Sequence, residues 1–433
     1  MNDGEKNMQS DQDQRREKNC RLIGNMLLAA LCIFILIPLA YFYFSSADPA
    51  IVGMANADLA IGSESESGPS FFQHKKPDGL TLLFIGDMMF DRGVRTRIIA
   101  NGANGEEDTF ASTTRFLASQ FDIAIGNLEG PITANPSKTV DSAGRAIPGF
   151  TFTFPPSTAD LLKKSGIDIV SLANNHAGNF GASGFRETTQ RLASSGIEFF
   201  GNAENAAANG IPSQISTIHC IDSSMQTGNL SRPYCIGLIG YHGLVENGEP
   251  EILAEIKKMA ASKAAAANAQ TEVPDFIIVF PHWGNEYQKT PTATQTRLAH
   301  AWLDAGADMI IGAHPHIVES VETYEGKPIF YSLGNYMFDQ YFSYDTTHGL
   351  TLGIELAAAE DDSSEGADNS MPNTRSGLFL KKIKLMPIDI TNTRVRIASD
   401  SDRTKMLAEI VRISNGLIST STKEQILRGE IEF

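Results

Sequence analysis

Asp308-Met-Ile-Ile-Gly-Ala-His-Pro-His316, read with Pro281-His-Trp-Gly284 upstream of it, decides how this chain is organised. The apolar run 308–312 has the length of a short buried strand, and the chain leaving it carries histidines two positions apart. In an extended segment, side chains two apart point to the same side, so both imidazoles are expected to reach one point. Pro315 between them removes a backbone donor and stiffens the segment. Four of the nine histidines fall between 282 and 316, three of them where a strand should end. Two neutral imidazoles converging from a stiff loop make half of a divalent-metal site. The alternative is one histidine hydrogen-bonded in the core and one solvated.

Outward from that loop the same grammar recurs. The run 81–86 reads as a strand ending at Asp87, and 122–126 as one ending in Asn127-Leu-Glu129-Gly130. The run 167–173 leads into Asn174-Asn-His176, and 275–280 is followed by His282. Helices are expected between them: 108–119; a segment capped by Ser157 and stopped at Gly166; 184–195, closed by Gly196; and one from the Thr292/Gln295 capping box to Ala305, ended by Gly306. A further strand is expected at 197–201. Strands alternating with short helices predict an α/β fold with largely parallel pairing, and open α/β sheets bind ligands beyond the carboxyl ends of their strands. Asp87, Asn127 and Glu129, Asn175 and His176, His282, and His314 and His316 are therefore expected along one edge.

As metal ligands, Asp87, Glu129, Asn175, His282, His314 and His316 mix oxygen and nitrogen donors, which suits Mn, Fe or Zn better than Ca or Mg, as one or two ions. A pair of such ions can activate water for attack on phosphorus or an acyl carbon. His176 would be free to donate a proton or to hold an anionic oxygen, and Arg92 could clamp an anionic substrate. His219, His242, His300 and His348 read as structural or surface residues. Beyond the histidine loop, 317–324 and 327–333 read as a hairpin turning at Glu325-Gly326. The acidic stretch 358–376 reads as a surface loop, 377–388 and 393–398 as strands, and 402–414 as a terminal helix.

At 433 residues, 42% of them apolar, the chain can bury a large core, and residues 80–433 read as one domain. A net charge of −16 argues against non-specific nucleic-acid binding. Residues 22–44 carry no charge and are long enough to cross a bilayer as a helix. Arg15, Arg16, Lys18 and Arg21 precede that run, and no Lys or Arg follows until Lys75, which puts residues 1–21 in the cytoplasm and the main domain outside. A cleaved signal peptide, processed at 45–47 or 55–57, is the competing reading. The Ser-, Gly- and acid-rich stretch 45–79 reads as a flexible extracytoplasmic linker. Of the four cysteines, Cys20 and Cys32 read as free. Cys220 and Cys235 lie in two apolar segments, 214–221 and 234–240, that could pair as a hairpin, so a bridge there is one of two outcomes.

Gly86-Asp-Met-Met-Phe-Asp-Arg92, Gly126-Asn-Leu-Glu-Gly130, Ala173-Asn-Asn-His176, Pro281-His-Trp-Gly284, Gly312-Ala-His-Pro-His316 and Ser332-Leu-Gly-Asn-Tyr-Met-Phe-Asp339 occur in this order. Together they resemble the bacterial CapA-type capsule synthesis proteins of poly-γ-glutamate production. The resemblance implies a metallophosphoesterase-like sandwich of two mixed sheets flanked by helices. It also implies a role in making, exporting or anchoring an anionic γ-glutamyl polymer at the membrane, with synthetase subunits as partners. By the same likeness Asp87, Asn175, His282, His314 and His316 fall at metal-ligand positions and His176 at a phosphate-contacting one. Three positions depart from the pattern. Met89 stands where the wider superfamily has a histidine, Asn127-Leu-Glu129 replaces a bridging aspartate motif, and Asn179 stands where capsule relatives commonly carry an acid. The first two leave open a single-metal site, or a site that binds without turnover. Three readings follow: a metal-dependent hydrolase-like enzyme of the cell envelope, a non-catalytic accessory subunit that binds polymer or synthetase partners, or a nucleotide-cleaving phosphatase.

Overall fold

The computed structural model describes residues 79–201, 214–221, 233–244, 248–265, 272–358 and 377–433. The expected tail 1–21, span 22–44, most of the linker, Cys20, Cys32 and residues 359–376 of the acidic loop lie outside the described residues. Among the described residues no helix is long and apolar enough to cross a membrane.

Four parallel strands open the fold: β1 (Gly79–Met88), β2 (Ile123–Leu128), β3 (Ile169–Ser171) and β4 (Glu198–Phe200), each paired with the next. A second sheet follows, built from β5 (Ser216–Ile221), β6 (Tyr234–His242), β7 (Phe276–His282), β8 (Met309–Ile311), β9 (Val321–Tyr324) and β10 (Lys327–Phe330). Its order is β5-β6-β7-β8-β10-β9, parallel in the middle and antiparallel at both ends. The chain then returns to the first sheet with β11 (Asn335–Met337), β12 (His348–Ala358), β13 (Leu378–Asp389), β14 (Arg396–Ile397) and β15 (Glu430–Glu432). The first sheet thus runs β14-β13-β12-β1-β2-β3-β4, with β11 beside β1 and β15 beside β13. Both sheets are mixed, and the expected α/β class with two mixed sheets and helices holds.

Alternation along β1 shows how the layers arise. Leu80, Leu82 and Phe84 pack with Ile236, Leu238, Phe280 and Ile311 of the other sheet. Leu83 and Ile85 face the opposite way, onto Leu117, Leu162, Phe185 and Leu192 of the helices Ser112–Ala118, Thr158–Lys164 and Gly181–Ser194. The same alternation runs along β7, where Phe276, Ile278 and Phe280 point between the sheets. Ile277 and Val279 meet Ile252, Ile256, Leu298 and Trp302 of the helices Glu249–Ala265 and Ala293–Asp304. Strands buried on both faces read in sequence as unbroken apolar runs, which is what made them legible.

Several local expectations hold and several need correction. Thr292 and Gln295 form the capping box in full. The Glu325-Gly326 turn has φ of +48° and +77°, the left-handed pair that a two-residue hairpin requires. Cys220 and Cys235 are bridged, directly opposite each other in the β5–β6 ladder. Ser157, by contrast, makes no side-chain cap. The helix Asp400–Ile413 is not terminal, because a second helix, Thr420–Arg428, and β15 follow it. β12, which lies between β1 and β13, has no counterpart among the strands expected from sequence.

One buried acid makes the fold pH-sensitive. Glu319, just past the histidine loop, accepts a hydrogen bond from Gln295 Nε2 at 2.8 Å, while its other oxygen has no partner. Burial pushes its carboxyl up to about 8 from the ordinary 4.5, against the Gln295 hydrogen bond. The folded state therefore binds this proton more tightly than the unfolded chain. Its contribution is fully present at low pH and is lost as pH rises from about 4.5 through about 8. Glu319→Gln is expected to remove that slope and to stabilise the protein by about 1–3 kcal/mol at pH 9, with little gain at pH 5. Denaturant unfolding at the two pH values checks this; an equal effect at both would contradict it.

Candidate metal centre

The strand ends do gather. A bulge in the β1–β2 register at Gly86 re-aims the next residue, and a Cβ at Gly86 would lie 2.0 Å from the Gly334 carbonyl oxygen. Asp87 follows, fully buried, level with Asn127 in β2 and Asn335 in β11. Its Oδ1 accepts from Asn127 Nδ2 at 2.7 Å, and its Oδ2 accepts from the His314 amide at 3.2 Å. His316 Nδ1 lies 3.4 Å from the same Oδ2 and 3.0 Å from Asn335 Oδ1. Asp87 thus holds the backbone of one loop histidine and the ring of the other.

His282, the last residue of β7, is buried between both sheets' tips. Its Nδ1 sits 3.2 Å from Asn127 Nδ2 and 3.9 Å from Asp87 Oδ1. Its Nε2 sits 2.9 Å from Asn175 Oδ1 and 3.2 Å from His314 Nδ1. Glu129, just past β2, is fully buried, and neither carboxylate oxygen has a hydrogen-bond partner. Around its Oε1 stand His316 Nε2 at 3.7 Å, His176 Nε2 at 3.9 Å and His282 Nε2 at 4.0 Å. All six residues expected as metal ligands therefore lie in one cluster.

Convergence of the two loop histidines has a different cause from the one expected. His314 and His316 have φ of +99° and +59°, so the segment is not extended. Left-handed backbone is costly for a non-glycine residue and persists only where surroundings enforce it. Here the Asp87 carboxylate and Asn335 supply that enforcement. The two rings end 5.9 Å apart.

Burial and mutual charge sort the titrating groups. Burial pushes the Glu129 carboxyl well above the usual carboxylate range, with the Asp87 charge adding to it and His316 opposing. Burial also works against a charged His316, yet Glu129 and Asp87 raise it to about 9. Burial, then the neighbouring imidazoles, holds His282 well below its ordinary value, and burial takes His314 down to about 4. Neutral imidazoles are the form that binds metal. Protons and a divalent cation are alternative counter-charges for buried carboxylates. An orphaned, buried Glu129 facing Asp87 and imidazoles fits a cation better than any protein group within its reach. Two triads have geometry for it: Asp87, Glu129 and His282, all buried, and Glu286, His314 and His316, each with ligand atoms within 4.8 Å of one another.

His176 stands at the rim. Burial brings it down to about 4, so it is neutral near pH 7. Its ring lies 4.3 Å from that of Phe152, and Asn179 Nδ2 is 3.1 Å from its Nδ1. That amide also donates to the Phe150 carbonyl at 3.0 Å. With the amide as donor, Nδ1 accepts and the imidazole proton sits on Nε2, facing Glu129; an acid at 179 would select the other tautomer. Arg92 is engaged rather than free. Its guanidinium pairs with Asp339, whose Oδ2 also accepts from the Gly93 amide at 2.8 Å, and it lies over the Phe152 and Phe338 rings.

Sequence reasoning missed three residues here. Asn335 fixes the His316 ring and signals itself only as one more polar residue after an apolar run. His242 ends β6 level with His282, buried, with neither ring nitrogen bonded. Its position repeats the strand-then-histidine pattern of β7, and that pattern could have found it. Glu286 is exposed in the loop after β7, with no periodicity to mark it.

Comparison with known proteins supplies the family. Residues 81–340 match the family model described as bacterial capsule synthesis protein PGA_cap. The chain is 29% identical over 273 residues to a capsule biosynthesis protein CapA of Bacillus anthracis, covering 62% of each chain. It is 30% identical over 273 residues to a PGA biosynthesis protein CapA of Bacillus subtilis (strain 168), covering 61% of this chain and 64% of that one. A Mycobacterium tuberculosis protein described as a probable polyglutamine synthesis accessory protein is 24% identical over 307 residues, covering 68% and 72%. The chain thus spans less than two thirds of the length of the two Bacillus relatives. With the family model matching well over half of its residues, the chain belongs to the bacterial capsule synthesis protein family PGA_cap.

Proposed function

We propose that this chain is a membrane-anchored, extracytoplasmic protein of capsule or poly-γ-glutamate biosynthesis with a metal-dependent, hydrolase-like site on a metallophosphoesterase-like sandwich. The observation that carries the catalytic half is Glu129: two buried, unpartnered oxygens facing Asp87 and three imidazoles. Asp87, Glu129, Asn175, His282, His314 and His316 would hold the metal. A divalent transition ion there supplies Lewis acidity and a nucleophilic water near neutral pH. The chain's own groups do the rest. Asn127 and Asn335 orient Asp87 and His316, neutral His176 offers its Nε2 proton to an anionic oxygen, and Phe152 keeps water from one face of that imidazole. Residues 22–44 would anchor the domain beside synthetase subunits and the anionic polymer.

Two observations favour the accessory reading instead. Met89 sits fully buried where a further ligand would be expected, and its sulfur accepts the Asp91 amide at 3.0 Å. The Asp339 pairing also cancels the Arg92 charge. His314→Ala in the chromosomal copy separates the two. The catalytic reading expects polymer yield to fall at least tenfold with normal amounts of anchored protein. Unchanged yield would contradict it and leave the accessory role.

A further inference from the structure

The geometry points to Glu286 as a ligand of a second, solvent-facing ion held with His314 and His316, beside an enclosed ion held by Asp87, Glu129 and His282. This rests on the metal-site reading above and goes further, because no motif in the chain marks Glu286. The two triads share no residue, so the cluster can hold two ions with unequal surroundings. One triad is wholly buried; the other is buried on its histidine side and open at Glu286.

An exposed carboxylate is ordinarily a solvated surface group, but the loop carrying this one is fastened on both sides. The Tyr287 amide donates to the Pro315 carbonyl at 2.9 Å, within the histidine loop itself. Tyr287 adopts φ +61°, and its ring packs against His316 and Phe342. Gln340 Nε2 donates to its hydroxyl at 3.0 Å. Two residues on, the Lys289 carbonyl accepts from the Ser320 amide at 3.0 Å, and its ammonium pairs with Asp345 and Glu409. Glu286 is therefore held next to the histidines at little further entropic cost, which is what a ligand requires. Ligand atoms about 2.1 Å from a common ion lie roughly 3–4 Å apart, so small torsional changes close the triad.

Ligand number and charge give the same answer. Met89 turns its sulfur to the Asp91 amide, so the first strand contributes Asp87 alone. Glu286, in the loop after β7, restores a hard oxygen donor beside His314 and His316. Three carboxylates with neutral imidazoles leave two divalent ions with a single excess positive charge, enough to attract one anionic group without the guanidinium that Asp339 neutralises. The outer ion, with solvent on its Glu286 side, should exchange faster and bind more weakly than the enclosed one.

The test is Mn²⁺ uptake by the full-length chain in detergent, stripped with chelator and titrated calorimetrically, with bound metal counted by elemental analysis. Wild type is expected to bind two ions of unequal affinity. Glu286→Gln, an exposed and sterically neutral change, is expected to keep the tighter one and weaken the other at least tenfold. Loss of the spin-coupled manganese signal in the variant would accompany it. Two ions at unchanged affinity in Glu286→Gln would overturn the assignment. So would a single ion bound equally by both proteins, although the metal-site reading would then stand. No ion in either protein would sink both.

Discussion

Removing divalent ions from the folded protein with a chelator is expected to lower its unfolding free energy by about 3–4 kcal/mol when the free ion is near a thousand times its dissociation constant. The physical reason lies in what the cluster becomes without a cation. Asp87 and Glu129 are both fully buried, and Glu129 has no hydrogen bond to offset its desolvation. A buried carboxylate in that state holds a proton, as the upward shift of Glu129 indicates, and ionising it costs stability. A divalent ion would replace that proton and would bind the folded state alone, because the six candidate ligands come from strand ends that only folding assembles. Asp87→Ala should abolish the chelator effect, since Asp87 holds the His314 amide and the His316 ring and is itself a candidate ligand. Denaturant unfolding of both proteins with and without chelator reads it directly. Wild type unfolding at the same denaturant concentration in both conditions would contradict the account.

Phe280→Ala, in the interface between the two sheets, is expected to cost about 3–5 kcal/mol. Phe280 is 1% exposed, two residues before His282, and packs edge-on to Phe84 of the first sheet with ring centroids 5.7 Å apart. Phe200 of β4, in the same sheet as Phe84, lies 6.4 Å from it between ring centroids. Truncation leaves a cavity bounded by rigid strands on both sides, where relaxation is least able to refill it. Phe150, 76% exposed, is the control: its replacement by alanine should change stability by less than about 0.5 kcal/mol. Comparable losses at the two positions, measured by chemical unfolding, would mean that the inter-sheet core is not where the stability resides.

Most of the parallel core was legible because β1, β2, β3, β7 and β8 are buried on both faces and end in polar residues. Continuous apolar runs cut off by Asp, Asn or His are a local signal, and each of them survives in the structure. β12 escaped for a physical reason that is equally local. Leu350, Leu352, Ile354 and Leu356 alternate as a strand should, but Gly349 stands just before the run and Gly353 falls within it. Both glycines answer to distant partners: a Cβ at Gly349 would lie 1.9 Å from the Asn335 carbonyl oxygen, and one at Gly353 would lie 2.6 Å from the Phe121 ring. Nothing near them in the chain announces that.

Site membership was legible as a list of residues and less so as geometry. That six strand-end residues share one rim followed from the α/β alternation. The left-handed histidine loop, the Arg92–Asp339 pair and the loop that presents Glu286 depend on contacts between residues far apart in sequence. Local spacing cannot encode such contacts. His314 and His316 do converge, as their two-residue spacing suggests, but through left-handed backbone rather than the extended segment that spacing implies.

The most direct test of the central claim is an anomalous-difference map from crystals of the protein grown with Mn²⁺. A peak is expected about 2.0–2.3 Å from Asp87, Glu129 and His282. Manganese seen only at the surface, with Glu129 still facing the imidazoles unoccupied, would contradict it.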